Sequence, residues 1–344
     1  MPWHMLDYFF PIITTNRSPV ISQESHPTAK PTVMPLDRGP SPFIPSHRRF
    51  EAMSPLDSEV HPVFHAGRVA VITGAASGIG RAAAVELAKL GLKIAMADIA
   101  EDVLAFAAKE VITIAGEANV LVIPTDVSNI DDVVRLRDKV YEAWGEVAVL
   151  LNNAAVGPDS KSWKMLDNWK KTFDVNLFGV VNVQQTFVPS MLHQENQAVV
   201  INTGSKQGIT NPPGNPAYNA AKAAVKSLTE GLAHELRESA ACNVTAHLFI
   251  PGWTFTGLTA RDGGVKPAGA WTAEETVLFM LDHVRAGDFY IVCPDNESRR
   301  ELDQLRIMWA AADVVEGRPA LSRWHKDWKS LFEEYVRDGL ANMD

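Results

Sequence analysis

Hydrophobic residues in this chain fall into short unbroken runs, separated by longer stretches in which apolar positions recur every three or four residues. Unbroken runs read as strands buried on both faces, and the longer period reads as helices packed over them. Seven runs follow Arg68: VAVIT (69–73), LKIAMAD (92–98), NVLVIPT (119–125), VAVLLN (147–152), AVVINT (198–203), NVTAHLF (243–249) and FYIV (289–292). Strands alternating with helix-sized segments predict repeated βα units, and hence an α/β fold with a doubly wound, parallel, seven-stranded sheet. Long helices are expected over 166–192 and 217–238. Beyond Pro294, the amphipathic segments 297–315 and 324–338 predict helices packed on the edge of the domain.

Upstream the pattern vanishes. From Met1 to about Pro62 the chain is rich in Pro, Ser and His and has no helical or alternating period, so it cannot bury enough surface to offset chain entropy. The expected organisation is a disordered extension (1–62), a single folded domain (63–296) and a C-terminal helical extension (297–344). Met53 opens the stretch MSPLDSEVHPVFHAGRVAVITG, which makes it a natural alternative start for translation.

Composition narrows the function classes. A 344-residue chain that is 46% hydrophobic can build a sizeable core. Its net charge of -9 argues against nonspecific nucleic-acid binding, which needs clustered cations to displace counterions. The two cysteines, Cys242 and Cys293, are too few for a disulfide framework and lack the paired spacing of a metal site. No apolar run approaches the roughly 20 residues that span a bilayer, and the opening Met1-Pro2-Trp3-His4 lacks a secretory pattern. A soluble, cytoplasmic protein with neither nucleic-acid nor membrane partner is expected.

Candidate chemistry begins where the first run ends. Thr73-Gly74, Ser77-Gly78-Ile79-Gly80 and a helical stretch ending at Gly91 place glycines between a strand and a helix N-terminus. Such a turn lets backbone N–H groups approach a pyrophosphate where the helix dipole favours an anion. About 20 residues on, Asp98 closes the second strand, where a carboxylate can accept from a ribose 2′-hydroxyl and repel a 2′-phosphate. That favours NAD over NADP without excluding NADP. Asp98 could instead cap the next helix. Asp126, before Val127, sits where a side chain could meet an adenine, or is an ordinary capping residue.

Tyr218 and Lys222 lie four residues apart in AYNAAKAAVKSL, a strong helix former, so both emerge on one face. Free tyrosine, with a pKa of about 10, is ionised in about one molecule per thousand at pH 7, and a neighbouring ammonium would depress that value. Ser205, beyond the fifth strand, could hold a substrate oxygen near that phenol. With these residues in view, the chain resembles the short-chain dehydrogenase/reductases, whose glycine motif is TGxxxGxG. The match runs from about Arg68 to Thr256 and takes in the glycine turn, Asp98, Asp126-Val127, Asn152 to Ala155, Asn176, Ser205, Tyr218, Lys222 and Pro251-Gly252.

The resemblance implies a Rossmann domain and an NAD(P)-dependent oxidoreductase that interconverts a secondary alcohol and a ketone. It implies Tyr218 as proton donor or acceptor and Ser205 as polariser of the reacting oxygen. Lys222 would lower the phenol's pKa and bind the nicotinamide ribose, and Asn176 would help hold a water linking Lys222 to solvent. Asn153 would support the sheet and the adenosine ribose, and Thr254 and Thr256 would meet the nicotinamide. A homo-oligomer is also implied, as is a small alcohol or carbonyl substrate. Ala155, Gly204 and Trp253 depart from the family pattern without removing a catalytic group, so they bear on pocket shape.

Substrate choice should reside in 206–216 and 253–271, beyond the carboxyl ends of the strands, with Gln207, Asn211, Trp253 and Phe255 as candidate lining. The glycines of 253–271 suit a lid or a surface loop. The competing reading is a dinucleotide sensor without turnover, since fold alone does not fix function.

Overall fold

Each of the seven apolar runs becomes a strand within two residues of its expected bounds: β1 (Val69–Thr73), β2 (Lys93–Asp98), β3 (Val120–Pro124), β4 (Val149–Asn152), β5 (Ala198–Thr203), β6 (Val244–Ile250) and β7 (Tyr290–Val292). The computed structural model describes residues 61–239, 242–260 and 264–343. The extension expected over 1–62, apart from its last two residues, and the start at Met53 lie outside them. The described residues all fall within one compact unit, Glu59–Asp344.

All pairings are parallel, in the order β3-β2-β1-β4-β5-β6-β7. The chain winds outward one way from β1 to β3 and then the other way from β4, so the carboxyl ends of β1 and β4 diverge into a crevice. Alternate strand residues face opposite sides. Ala70, Ile72, Ile94, Met96, Leu151 and Ile201 pack under helices α1 (Gly78–Lys89) and α2 (Glu101–Ala115). Val69, Val71, Ala95, Leu150 and Val200 pack under α3 (Ile130–Trp144) on the opposite face. Burial on both faces explains the unbroken apolar runs.

The helix expected over 166–192 is interrupted. It forms as α4 (Leu166–Phe173), a π-helical turn (Asp174–Phe178) and α5 (Gly179–Met191). The wide turn presents Asn176 to the loop after β4, and Gly179 follows where any Cβ would lie 2.6 Å from Val127. After β5 comes the short α6 (Gln207–Thr210), then the long α7 (Pro216–Glu238). The start of α7 is firmly set: Pro216 occupies the first turn, Asn215 Oδ1 accepts from the Tyr218 amide at 3.3 Å, and Ser160 Oγ accepts from the Ala217 amide at 3.0 Å.

After β6, α8 (Ala273–Arg285) opens with a capping box between Thr272 and Glu275. The C-terminal segment supplies α9 (Arg300–Val315) and α10 (Lys329–Ala341), which pack together around Trp309, with α9 also against α6. No helix among the described residues is long and apolar enough to cross a membrane.

Candidate active site

The glycine turn closes the crevice at the end of β1. Gly74 and Gly78 adopt φ of 69° and 52°, the left-handed region that side chains avoid. Gly80 is required by packing instead, because a Cβ there would sit 2.2 Å from the Gly74 carbonyl oxygen. Helix α1 starts at Gly78 with Ser77 as N-cap, yet the Ser77 side chain makes no capping bond and the first turn carries no acidic residue. Its orphan N–H groups are therefore left without side-chain caps at the positive end of the dipole. Ile79 packs behind the turn against the core.

Thr73, which the sequence places in the glycine turn without a role of its own, latches the crevice. Its hydroxyl accepts from the amides of Asn153 (3.0 Å) and Ala154 (3.2 Å), while Asn153 Nδ2 donates to the Thr73 carbonyl at 3.2 Å. A hydroxyl residue just ahead of the first glycine was the available signal. Asn153 thus ties β4 to the turn.

A cavity of about 530 Å³ opens beside this turn, lined by Gly74, Asp98, Asp126, Val127 and Ala155, with Lys170 and Lys171 of α4 also lining it. Asp98 does not cap α2, whose N-cap is Ala100. Its two carboxylate oxygens accept from the Ala76 and Ala100 amides, each at 3.0 Å, which fixes the charge at the cavity edge. Asp126 is likewise no helix cap, since Asn129 caps α3; one of its oxygens holds Ser128 through the amide (2.9 Å) and the hydroxyl (2.7 Å). Val127 is buried against Gly179.

Farther along the crevice the structure brings Ser205, Tyr218 and Lys222 together. The Ser205 hydroxyl acts on the Tyr218 phenol and favours its charged form. Lys222 is 2% exposed; its Nζ lies 5.8 Å from the Tyr218 ring centre and donates to the Thr203 carbonyl at 2.7 Å. Helix α6 presses on this point, for a Cβ on Gly208 would come within 2.5 Å of the Lys222 carbonyl carbon. Asn176 is fully buried, and its amide grips the Val156 backbone in both directions, each bond 2.8 Å. The side chain expected to help hold a water makes both of these bonds with one lone pair and one N–H.

Electrostatically the pair differs from the sequence expectation. Burial pushes the Tyr218 phenol above its ordinary range, opposed by the hydrogen bond from Ser205, and burial pushes the Lys222 ammonium down to about 8. Desolvation disfavours both charged forms, and here it outweighs the attraction that the i,i+4 spacing suggested. A lysine whose folded pKa lies below its unfolded value of about 10.4 makes the folded protein bind fewer protons between those values, so stability rises with pH across that window. At pH 7 the buried cation costs on the order of 3 kcal/mol at about 1.4 kcal/mol per unit. Replacing Lys222 by Met should therefore raise the unfolding midpoint by about 2–4 °C per kcal/mol regained. Thermal unfolding at pH 7 checks this, and a lowered midpoint would count against it.

The loop after β6 separates its two threonines. Thr254 is 3% exposed, with its hydroxyl turned to the Gly252 carbonyl (3.2 Å) and to Thr276 of α8 (3.0 Å). Thr256 instead abuts the glycine turn, its Cβ 3.0 Å from where a Gly78 Cβ would be. Backbone bonds of 2.8 Å between Phe255 and Trp271, and between Trp271 and Trp253, staple the ends of the 253–271 segment. Trp253 and Phe255 are half-buried, Gln207 is exposed, and Asn211 ends α6 in the left-handed region while accepting from Asn219.

Three comparisons agree with this arrangement. The family model described as short chain dehydrogenase matches residues 68–263. The 3-oxoacyl-[acyl-carrier-protein] reductase FabG of Thermotoga maritima is 35% identical over 196 residues, 57% of this chain and 77% of that protein. The 1-deoxy-11-beta-hydroxypentalenate dehydrogenase of Streptomyces exfoliatus is 31% identical over 264 residues, 75% of this chain and 94% of that one. A solved short chain dehydrogenase/reductase from Burkholderia phymatum, in complex with NAD, superposes with a TM-score of 0.66 at 32% identity, covering 74% of this chain and 96% of its own. The parallel sheet, the glycine turn and these matches together make the chain a member of the short-chain dehydrogenase/reductase family and an NAD(P)-dependent oxidoreductase.

Proposed function

We propose that the protein interconverts a secondary alcohol and a ketone, with Tyr218 exchanging the proton at the reacting oxygen. The observation that carries this reading is the cluster of half-buried Ser205 and Tyr218 with buried Lys222, beside a glycine turn whose helix N-terminus has no side-chain cap. The residues fit a nicotinamide dinucleotide. The turn and the N–H groups at the start of α1 suit its pyrophosphate, the cavity beside Asp98, Asp126 and Val127 suits its adenosine, and Thr256 abuts the turn at Gly78. When bound, the nicotinamide supplies or accepts the hydride.

The protein's own residues do the rest. Ser205 donates to the substrate oxygen and orients it toward the phenol. Tyr218, kept protonated near neutrality by burial, is preset to donate a proton as a ketone is reduced. Lys222 spends one N–H on Thr203, and its two remaining donors can hold the nicotinamide ribose. Asn176, set in the π-helical turn, positions this end of the crevice by fixing Val156. Thr254 contributes by anchoring its loop to α8.

NAD is the preferred cofactor, because the fixed Asp98 charge opposes a 2′-phosphate. Lys170 and Lys171, which line the same cavity, temper that repulsion. Titration of NADH and NADPH should show tighter NADH binding, and Asp98→Asn should shift the ratio toward NADPH by about ten-fold, the weight of roughly 1.4 kcal/mol. Tighter NADPH binding by the unaltered protein would contradict the assignment.

The half-buried Trp253 and Phe255 favour a moderately apolar substrate. A panel of secondary alcohols and ketones, followed by nicotinamide absorbance, tests the reaction class. Turnover of an apolar member supports it. Tight NADH binding with no turnover across the panel would favour a dinucleotide sensor instead.

A further inference from the structure

We propose that Asp303, on the C-terminal helix α9, is a positioning residue of the active site: together with Asp295 it clamps the Lys206 ammonium and so fixes the turn that carries Ser205. The proposal rests on the role given to Ser205 above. Lys206 directly follows Ser205 and lies ahead of α6. Its Nζ is 2.5 Å from Asp303 Oδ2 and 3.3 Å from Asp295 Oδ2. Both carboxylate side chains are 6% exposed and the lysine side chain 21%. A second cation, Arg306, balances the pair, with Nη1 3.4 Å from Asp303 Oδ1 and donating to Ser298 Oγ at 2.8 Å.

Three segments meet at this one ammonium, and a fourth joins through Asp295. Lys206 comes after β5, Asp295 comes after β7, Asp295 Oδ2 also accepts from the Trp253 amide after β6 at 2.9 Å, and Asp303 comes from α9. The main chain around Lys206 forms the turn itself. Its carbonyl accepts from the amides of Ile209 (3.1 Å) and Thr210 (3.0 Å), and the Gln207 amide donates to Ser205 Oγ at 3.2 Å. With Gly208 pressed on the Lys222 backbone, the turn cannot shift without disturbing α7 at Lys222. Anchoring the Lys206 side chain thereby sets both the serine hydroxyl and the seat of the lysine.

Buried ion pairs add little stability that well-packed apolar residues could not match, but they demand a defined geometry. A clamp that joins three strand-end loops is where such a demand has consequences for chemistry. The C-terminal helices then act on the site through α9, although they lie outside the segment that matches the family model.

The test is hydrogen–deuterium exchange on the full chain, with Asp303→Asn and the near-isosteric Lys206→Met, alongside NADH titration and kinetics on a substrate drawn from the panel. Exchange of the amides in 205–211 should accelerate at least about ten-fold in both variants, with the central strands unchanged. NADH affinity should hold while kcat/KM falls about 100-fold, the loss that a misplacement of about 1 Å can produce, and Asp303→Glu should recover part of it. Unchanged exchange at 205–211, or acceleration spread evenly through the sheet, would overturn the proposal, as would faster local exchange with undiminished kcat/KM. If the unaltered protein turns nothing over yet the local exchange response appears, the proposed reaction fails while the clamp on the turn stands.

Discussion

Replacing Tyr218 by Phe should lower turnover by about 10²–10⁴-fold, the range over which positioned proton transfer contributes to rate. The substitution removes one oxygen and keeps the ring, so packing at the start of α7, set by Asn215, Pro216 and Ser160, stays in place. What disappears is the group proposed to give a proton to the nascent alkoxide. NADH affinity should be unchanged, because the turn, Asp98 and Lys222 are untouched. Steady-state kinetics paired with an NADH fluorescence titration reads both quantities. Undiminished turnover would remove Tyr218 from the chemistry.

The second large effect is expected at Gly80. An alanine methyl there would sit 2.2 Å from the Gly74 carbonyl oxygen, which is backbone and cannot rotate away as a side chain could. Either α1 must retreat from the turn or the turn must open, and both displace the N–H groups proposed to bind pyrophosphate. Overpacking of this kind costs about 1–3 kcal/mol of stability, and NADH binding should fall by at least about 100-fold, since every 1.4 kcal/mol of lost contact is ten-fold. Gly145→Ala is the control. Gly145 ends α3 at φ 72°, and no atom lies within 4 Å of where its Cβ would be, so alanine there strains the backbone without touching the crevice. Equal losses of NADH binding in the two variants would show that the effect is global.

Much of this was legible in the sequence because one physical cause dominated each feature. A strand buried on both faces must be apolar at every position, so VAVIT and AVVINT mark β1 and β5 to the residue. Glycines that strand-to-helix geometry demands were visible at 74, 78 and 80 for the same reason. The break at Asn176 was not visible, since a π-helical turn keeps the composition of the helix around it and differs only in its hydrogen bonding.

The protonation states were not legible either. Spacing four residues apart put Tyr218 and Lys222 on one face, but it carried no information on how deeply α6 and β5 bury them. That burial reverses the expected direction for the phenol. The Lys206 clamp was hidden because its partners, Asp295 and Asp303, lie 89 and 97 residues away along the chain.

The central claim, that Tyr218 is the proton-exchanging group, is tested most directly by the pH dependence of alcohol oxidation. Oxidation needs the phenolate, and burial favours the neutral phenol. On that basis kcat/KM for oxidation should climb with pH from about 6 to about 10, while ketone reduction stays high near neutrality and declines only in the alkaline range. In Tyr218→Phe, the residual oxidation rate should lose that rise. An oxidation rate that is flat or falling over this range, or the same profile in the Phe variant, would contradict the account.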